Sequence, residues 1–331
     1  MGDRPPNHID RPAVAPVDVL SAVLRELHFE SAGYRWLELR TPFRVRFDRA
    51  GLRGVHIVAR GECDLVLADG GVRRLGTGDL VVLPRGDDHE LRSPGTRRAR
   101  PESGFDLAMR TEGTRLRAGA GRDAGTEDAE ADAVVVCGAF VVGEAGHPAL
   151  GGLPRVLHVP GREGRTPLAP LVAAISAEAF DGGPGSDLVM ARLSDALLTQ
   201  ALRHHAVGDD TAGSLPPGWL AGLRDPYVAT ALGAVHADPA RRWTVAALAA
   251  EAGLSRAAFA QRFTAGVGQP PMRYLLDLRL QHARTLLRDR RLTVAAVASR
   301  VGYGSDVAFA AAFRRATGTT PAEYRRRAAA G

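Results

Sequence analysis

The chain repeats itself near its C-terminal end. WTVAALAAEAGL, residues 243–254, lies over LTVAAVASRVGY, residues 292–303, so that Thr, Val, Ala, Ala, Ala and Gly coincide at an offset of 49. One residue is then inserted, and at an offset of 50 Ala258, Phe259, Ala260, Phe263, Gly268, Pro271 and Tyr274 meet Ala308, Phe309, Ala310, Phe313, Gly318, Pro321 and Tyr324. Within each copy Thr244 or Thr293 suits a helix N-cap. Val245, Leu248, Ala249 and Ala252, like Val294, Val297, Ala298 and Val301, follow at the spacing of one buried helical stripe. Gly253 or Gly302 ends that helix with the left-handed residue a tight turn needs, and the next helix buries a phenylalanine pair one turn apart. This is a helix-turn-helix, twice. Pro270 and Pro271 open a long helix between the copies, about 17 residues or about 25 Å. It spaces two recognition helices for successive major-groove faces, about 34 Å apart on one duplex.

Charge follows the repeat. Between Pro226 and Gly331 stand sixteen arginines against six acidic residues, whereas the rest of the chain is slightly acidic within a total of +6. A basic surface confined to one end is the footprint of a polyanion binder. Every basic residue is arginine, since lysine is absent.

The chain of 331 residues, 45% hydrophobic, can build two or three domains with real cores. It has no long apolar run and no apolar N-terminal leader, so neither a membrane nor an export route is expected. Two cysteines, Cys63 and Cys137, make no disulfide framework and fit the reducing cytoplasm.

Ahead of the repeat the periods change twice. Residues 1–16, with four prolines, read as a disordered arm, and Val17 to Leu27 as a short helix. From about Tyr34 the period is two, with Phe43, Val45 and Phe47 alternating with Arg44 and Arg46. Short apolar runs then recur between turns (VHIVA, CDLVLA, VRRL, DLVVLP), which suggests an antiparallel barrel or sandwich. GFDLAMR, 104–110, reads as one further strand, residues 112–132 as a mobile loop, and VVVCGAFVV, 134–142, as the closing strand. Helical patterns follow at 167–180 and 188–205. In the second, Leu188, Ala191, Leu193, Leu197, Leu198, Ala201 and Leu202 form a stripe that packs either on the barrel or on a second copy. The expected fold is therefore multidomain α+β: an N-terminal β-barrel with helices over 17–160, a helical connector and dimerisation region over 161–222, and an all-α double helix-turn-helix domain over 223–331. Its units are expected near 244–266 and 293–317, with the linker helix near 270–288.

With these motifs the sequence resembles the AraC-type transcription regulators. The resemblance rests on the string from Leu248 to Leu287 and on Gly302, Tyr303, Ser305, Phe309, Phe313, Arg314, Gly318, Pro321, Tyr324 and Arg325. It implies sequence-specific binding of double-stranded DNA, and RNA polymerase as a partner if the protein activates. The N-terminal region resembles the cupin-type effector domain of one branch of that family. GDLVVLPRGDDHELRS, 78–93, follows the second cupin motif, with Ser93 where Asn often stands. The paired histidines of the first motif are missing, and a single His56 remains. This departure weighs against the second reading, a metal-dependent cupin enzyme with a nucleic-acid-binding tether.

Positions on the recognition helices select the DNA-facing residues. In the first, Arg256, Ala257, Ala260 and Gln261 face outward; Arg pairs with guanine and Gln with adenine in the major groove, while Ser255 and Arg262 suit phosphate. In the second, Val307, Ala310 and Ala311 offer only small apolar surface for thymine methyls, and Arg314 with Arg315 suits phosphate. In the barrel, His56 in a predicted strand, His89 at the cupin ligand position and Cys137 in the last apolar strand are candidates to face the interior. They read as a metal or redox-sensing site, as part of a small-molecule effector pocket, or as ordinary core, and a Cys63–Cys137 disulfide switch is a further alternative. No cofactor is required, no catalytic residue is assigned, and the effector stays open among small molecule, metal and oxidant.

Overall fold

The computed structural model describes residues 18–27, 29–96, 99–110, 115–120, 130–142, 148–161, 168–207 and 215–328. The arm at 1–16 lies outside these residues. The N-terminal half opens with helix α1 (Val19–Leu27) and then forms two sheets. Strands β1 (Phe29–Arg40), β3 (Arg53–Arg60), β6 (Leu80–Val82), β9 (Arg115–Gly119), β10 (Ala133–Val142) and β11 (Leu157–Val159) make the larger, in the order β11-β6-β3-β10-β1-β9. The smaller runs β5-β4-β7-β2-β8, from β2 (Arg44–Phe47), β4 (Glu62–Leu67), β5 (Val72–Gly76), β7 (His89–Arg92) and β8 (Glu102–Ser103). The expected barrel is thus two facing sheets, with no closed ring of strands among the described residues. One core lies between them, built from Leu37, Leu39, Val45, Val58, Leu65, Leu91 and Val135 among others.

Alternation explains why VVVCGAFVV is apolar throughout. Val135 and Cys137 point into the core between the sheets, while Val136, Phe140 and Val142 point the other way, into a second core under the helices. A strand covered on both faces needs no polar side. The covering helices are α4 (Ala169–Asp181) and α5 (Ser186–Val207), and Leu197, Leu198, Ala201 and Leu202 of α5 are buried in that second core. The α5 stripe therefore packs within the chain, leaving Leu188 and Val189 exposed at its start.

Two expectations are corrected. GFDLAMR is not a strand but helix α2 (Gly104–Arg110). Ser103 Oγ accepts from the Asp106 amide at 3.2 Å, an N-cap bond that favours a helical start, and Leu107 and Ala108 pack on the core between the sheets. The loop expected at 112–132 contains β9, which pairs in parallel with β1. Residues 112–114 and 121–129 lie outside the described residues.

The C-terminal half is helical: α6 (Trp219–Gly222), α7 (Pro226–Ala237), α8 (Val245–Glu251), α9 (Arg256–Val267), α10 (Pro271–Arg288), α11 (Val294–Arg300), α12 (Asp306–Thr317) and α13 (Pro321–Ala328). The earlier small helix α3 (Pro148–Gly151) lies beside α6. The core that begins on the outer face of the larger sheet continues through α6, α7, α8 and α9 into α10. The second helix-turn-helix has a core of its own around Phe309 and Phe313. Among the described residues no helix is long and apolar enough to cross a membrane.

Candidate functional site

The two units repeat at the level of single hydrogen bonds. Thr244 and Thr293 each accept from an amide three residues on, at 3.0 Å. Ser255 and Ser305 do the same for the recognition helices α9 and α12, at 3.3 and 3.1 Å. Gly253 and Gly302 take φ of 67° and 82° in the turns, and Gly268 and Gly318 end both recognition helices in the left-handed region. Phe259 and Phe263, like Phe309 and Phe313, are fully buried and tilt against each other at 5.6 Å.

The buried pairs fix the opposite faces. On α9, Arg256, Ala257 and Gln261 are exposed and Ala260 is half-buried. Neither Arg256 nor Gln261 makes a side-chain hydrogen bond among the described residues. Ser255 is exposed, and its hydroxyl caps α9 by accepting from the Ala258 amide. Arg262, expected among phosphate contacts, is exposed on α9. Its guanidinium pairs with Asp225 at 2.9 Å and lies over Tyr227, so it joins α9 to the capping residue of α7. On α12 Val307 is 75% exposed, beside exposed Ala311, Arg314 and Arg315 and half-buried Ala310. A valine this exposed on a helix offers methyls to whatever docks there.

The barrel trio comes together. In the larger sheet Arg35 of β1 stands opposite Cys137 of β10, and Cys137 opposite His56 of β3. Arg35 shares the inward parity of Leu37 and Leu39, whereas Tyr34 belongs to the outer core. From the facing sheet β2 and β7 bring Phe47 opposite His89. His56 Nε2 meets His89 Nε2 at 2.7 Å, His56 Nδ1 meets Cys137 Sγ at 3.3 Å, and His89 Nδ1 meets the Asp87 carbonyl at 2.8 Å. Phe47 stacks on the His89 ring. Burial holds His56 well below the ordinary imidazole range, aided by the neighbouring His89, and holds His89 below it as well. Both rings are neutral at neutral pH.

Neutrality and one carbonyl then set every proton. A carbonyl only accepts, so His89 carries its proton on Nδ1 and presents a lone pair at Nε2. His56 must donate to it from Nε2, which leaves His56 Nδ1 to accept from the Cys137 thiol. The chain Cys137 to His56 to His89 to Asp87 carbonyl is directional and complete. Two nitrogens at 2.7 Å sit closer than a pair sharing a tetrahedral zinc at about 2.0–2.1 Å from each, and the described residues hold no cluster of three metal-ligating groups. As placed, the trio is joined by hydrogen bonds. Burial also raises the Cys137 thiol well above its usual value and pushes Cys63 up to about 12, and both cysteines are free. Such thiols are poor nucleophiles and poor oxidant sensors.

Beside the trio lies a cavity of about 210 Å³. Phe47, Leu37, Val45, Leu116 and Phe105 are among its apolar lining, and His89, Cys137 and Arg35 line it too, the last two as cross-strand partners. Arg49, whose guanidinium lies 3.7 Å from the Phe105 ring centre, stands on the exposed side. Arg35 was missed in the sequence because a lone arginine in an alternating strand reads as an outward residue. Its parity with Leu37 and Leu39 is the signal that places it inside.

Comparison with known proteins joins the two halves. A cupin family model matches residues 18–207 and a helix-turn-helix domain model matches residues 248–327. A putative AraC-like transcription regulator from Streptomyces lividans is 37% identical over 93% of this chain and 97% of its own length. The HTH-type transcriptional regulator AlkR of Acinetobacter baylyi is 27% identical over 93% of this chain and 99% of its own. The DNA-binding domain of AdpA, a global transcriptional factor solved with a target DNA, is 35% identical over 31% of this chain and 91% of that one, with a TM-score of 0.29. With a cupin domain in front, two capped helix-turn-helix units behind, and similarity along nearly its whole length, the chain belongs to the AraC-like DNA-binding transcription regulators.

Proposed function

We propose that the two recognition helices divide the work on DNA and that the cupin cavity takes a small-molecule effector. The observation that carries the first part is the contrast between their exposed faces. On α9, Arg256 and Gln261 are exposed with their donors unspent among the described residues, and they read base edges with Ala257 and Ala260 packed close beside them. On α12, Val307, Ala310 and Ala311 give methyl contact while Arg314 and Arg315 hold phosphates. Ser255 adds the amide end of α9 as a phosphate contact, and Arg262 serves as a positioning residue through Asp225.

The cavity beside His56, His89 and Cys137 supports a small molecule over a metal or an oxidant, because the trio's polar atoms satisfy one another and both thiols are buried and protonated. The protein works in the cytoplasm, needs no cofactor and catalyses nothing. It contacts RNA polymerase if it activates, and a homodimer would use surface other than the buried α5 stripe, such as exposed Leu188 and Val189.

Footprinting and gel shifts on DNA flanking its own gene test the DNA half. A protected site whose affinity falls with salt is expected. Gln261→Ala should relax base preference at one position, whereas Arg314→Ala should weaken binding to all sequences and reduce the salt slope by about 1. Equal loss of specificity in both variants would remove the division of labour.

A further inference from the structure

We infer that the effector is a small apolar carboxylate whose anionic head is bound by Arg35, an inference that rests on the cavity being an effector site. The walls are mainly aromatic and aliphatic, so the body of the ligand must be apolar. The polar groups of the wall are almost all spent. The thiol proton of Cys137 and the ring protons of His56 and His89 are consumed in the chain that ends on the Asp87 carbonyl. Of the carboxylates in the wall, Asp48 pairs with Arg46 at 3.0 Å and Asp87 with Arg155 at 3.5 Å.

Arg35 departs from this pattern of mutual satisfaction, and so, on the exposed side, does Arg49, which lies over the Phe105 ring without an ion pair among the described residues. Arg35 makes its only hydrogen bond among the described residues from one terminal nitrogen to the Tyr34 carbonyl, at 2.9 Å, and it makes no ion pair among them. Its Nε is buried without a hydrogen-bond partner. A guanidinium has five donors in a planar fork that matches a carboxylate. Leaving most of them unused beside a cavity is costly unless a ligand completes them. The cavity thus offers donors, positive charge and an apolar wall; Asp87 Oδ2, buried without a hydrogen bond, has the Arg155 guanidinium 3.5 Å away to answer its charge. Neutral amides and alcohols fit the wall but leave the charge unanswered.

The test uses the purified full chain and calorimetry with phenylacetate, cinnamate and octanoate, each beside its primary amide and corresponding alcohol. At least one acid should bind about ten- to a hundredfold more tightly than its amide, the range of a charge-assisted hydrogen bond. Arg35→Met, which keeps most of the stem, should bring that ratio near one, and Arg35→Lys should restore part of it. Thermal melting of each variant reports whether it folds; if Arg35→Met does not, the acid-to-amide ratio of the native chain still decides. Whether octanoate or the aryl acids bind best separates an aliphatic from an aromatic source. Amides or alcohols binding as well as the acids would overturn the carboxylate while leaving the cavity an effector site. No binding by any series would overturn both.

Discussion

The proton chain at His56 and His89 makes stability depend on pH in a definite direction. Both imidazoles are depressed by burial, so the unfolded chain binds protons that the folded chain refuses. The sign follows: their contribution is complete above the unfolded imidazole value, near 6.5, and is lost as the pH falls from there toward the folded values. Each histidine should add a slope of about 1.4 kcal/mol per pH unit in that window. Melting temperatures of the native chain and of His56→Gln and His89→Gln, followed downward from neutral pH, check this. Each variant should flatten the slope, and a native slope unchanged by both substitutions would show that the rings are protonated in the fold. The trio itself was legible in the sequence because His89 sits in a motif and His56 and Cys137 fall in predicted strands. Its chemistry was not, since a metal site and a hydrogen-bonded chain use the same residue types and differ only in distance.

At the scale of elements, what repeats in sequence repeats in structure, yet the two copies sit in different surroundings. Gly253 and Gly302 occupy the same turn position, both left-handed. A Cβ at Gly253 would meet nothing within 4 Å, whereas one at Gly302 would lie 2.4 Å from the Ala240 carbonyl oxygen. Gly253→Ala should therefore cost only the backbone term of roughly 1–2 kcal/mol, and Gly302→Ala clearly more, because the segment before α8 must move. Chemical denaturation of the two variants distinguishes them, and equal losses would mean that Ala240 yields freely. The helices α8 to α12 were legible because caps, turn glycines and phenylalanine spacing are local signals. Strand β9 was not, because its partner β1 lies some eighty residues earlier and nothing local to Arg115–Gly119 specifies a parallel pairing. Helix α2 was missed for a related reason: seven residues hold too few turns for periodicity to speak, and only the Ser103 cap marks its start.

Across the whole molecule, a run of hydrogen bonds links the proposed effector cavity to the first recognition helix, α9. Arg85, two residues from the Asp87 that anchors the proton chain, donates through Nε to the Leu153 carbonyl at 2.8 Å and through a terminal nitrogen to Gly151 at 2.9 Å. These carbonyls frame the end of α3. The Ala149 carbonyl in α3 accepts from the Trp219 indole at 2.8 Å, and the Gly218 amide donates to Gly266 in α9 at 3.0 Å. Gly152 and Gly218 approach so closely that a Cβ on Gly218 would lie 2.3 Å from the Gly152 carbonyl oxygen, so the segments that follow α3 and precede α6 are in direct backbone contact. Spatial continuity alone does not establish coupling, but it identifies the bond to cut. Trp219→Phe keeps an aromatic ring in the core and deletes the indole donor, a loss of about 1 kcal/mol in stability. Trp243→Phe is the matched control, since its indole also bonds a carbonyl, that of Asp238, at 2.8 Å, away from this run. DNA affinity should be measured with and without whichever carboxylate binds the cavity. An effector shifting affinity by about five- to 150-fold is the usual range. Trp219→Phe should shrink that shift while DNA binding without the effector persists, and Trp243→Phe should leave the shift intact. If both variants shrink it alike, the loss reflects general loosening of the helical core, and the route through α3 and α6 does not carry the signal.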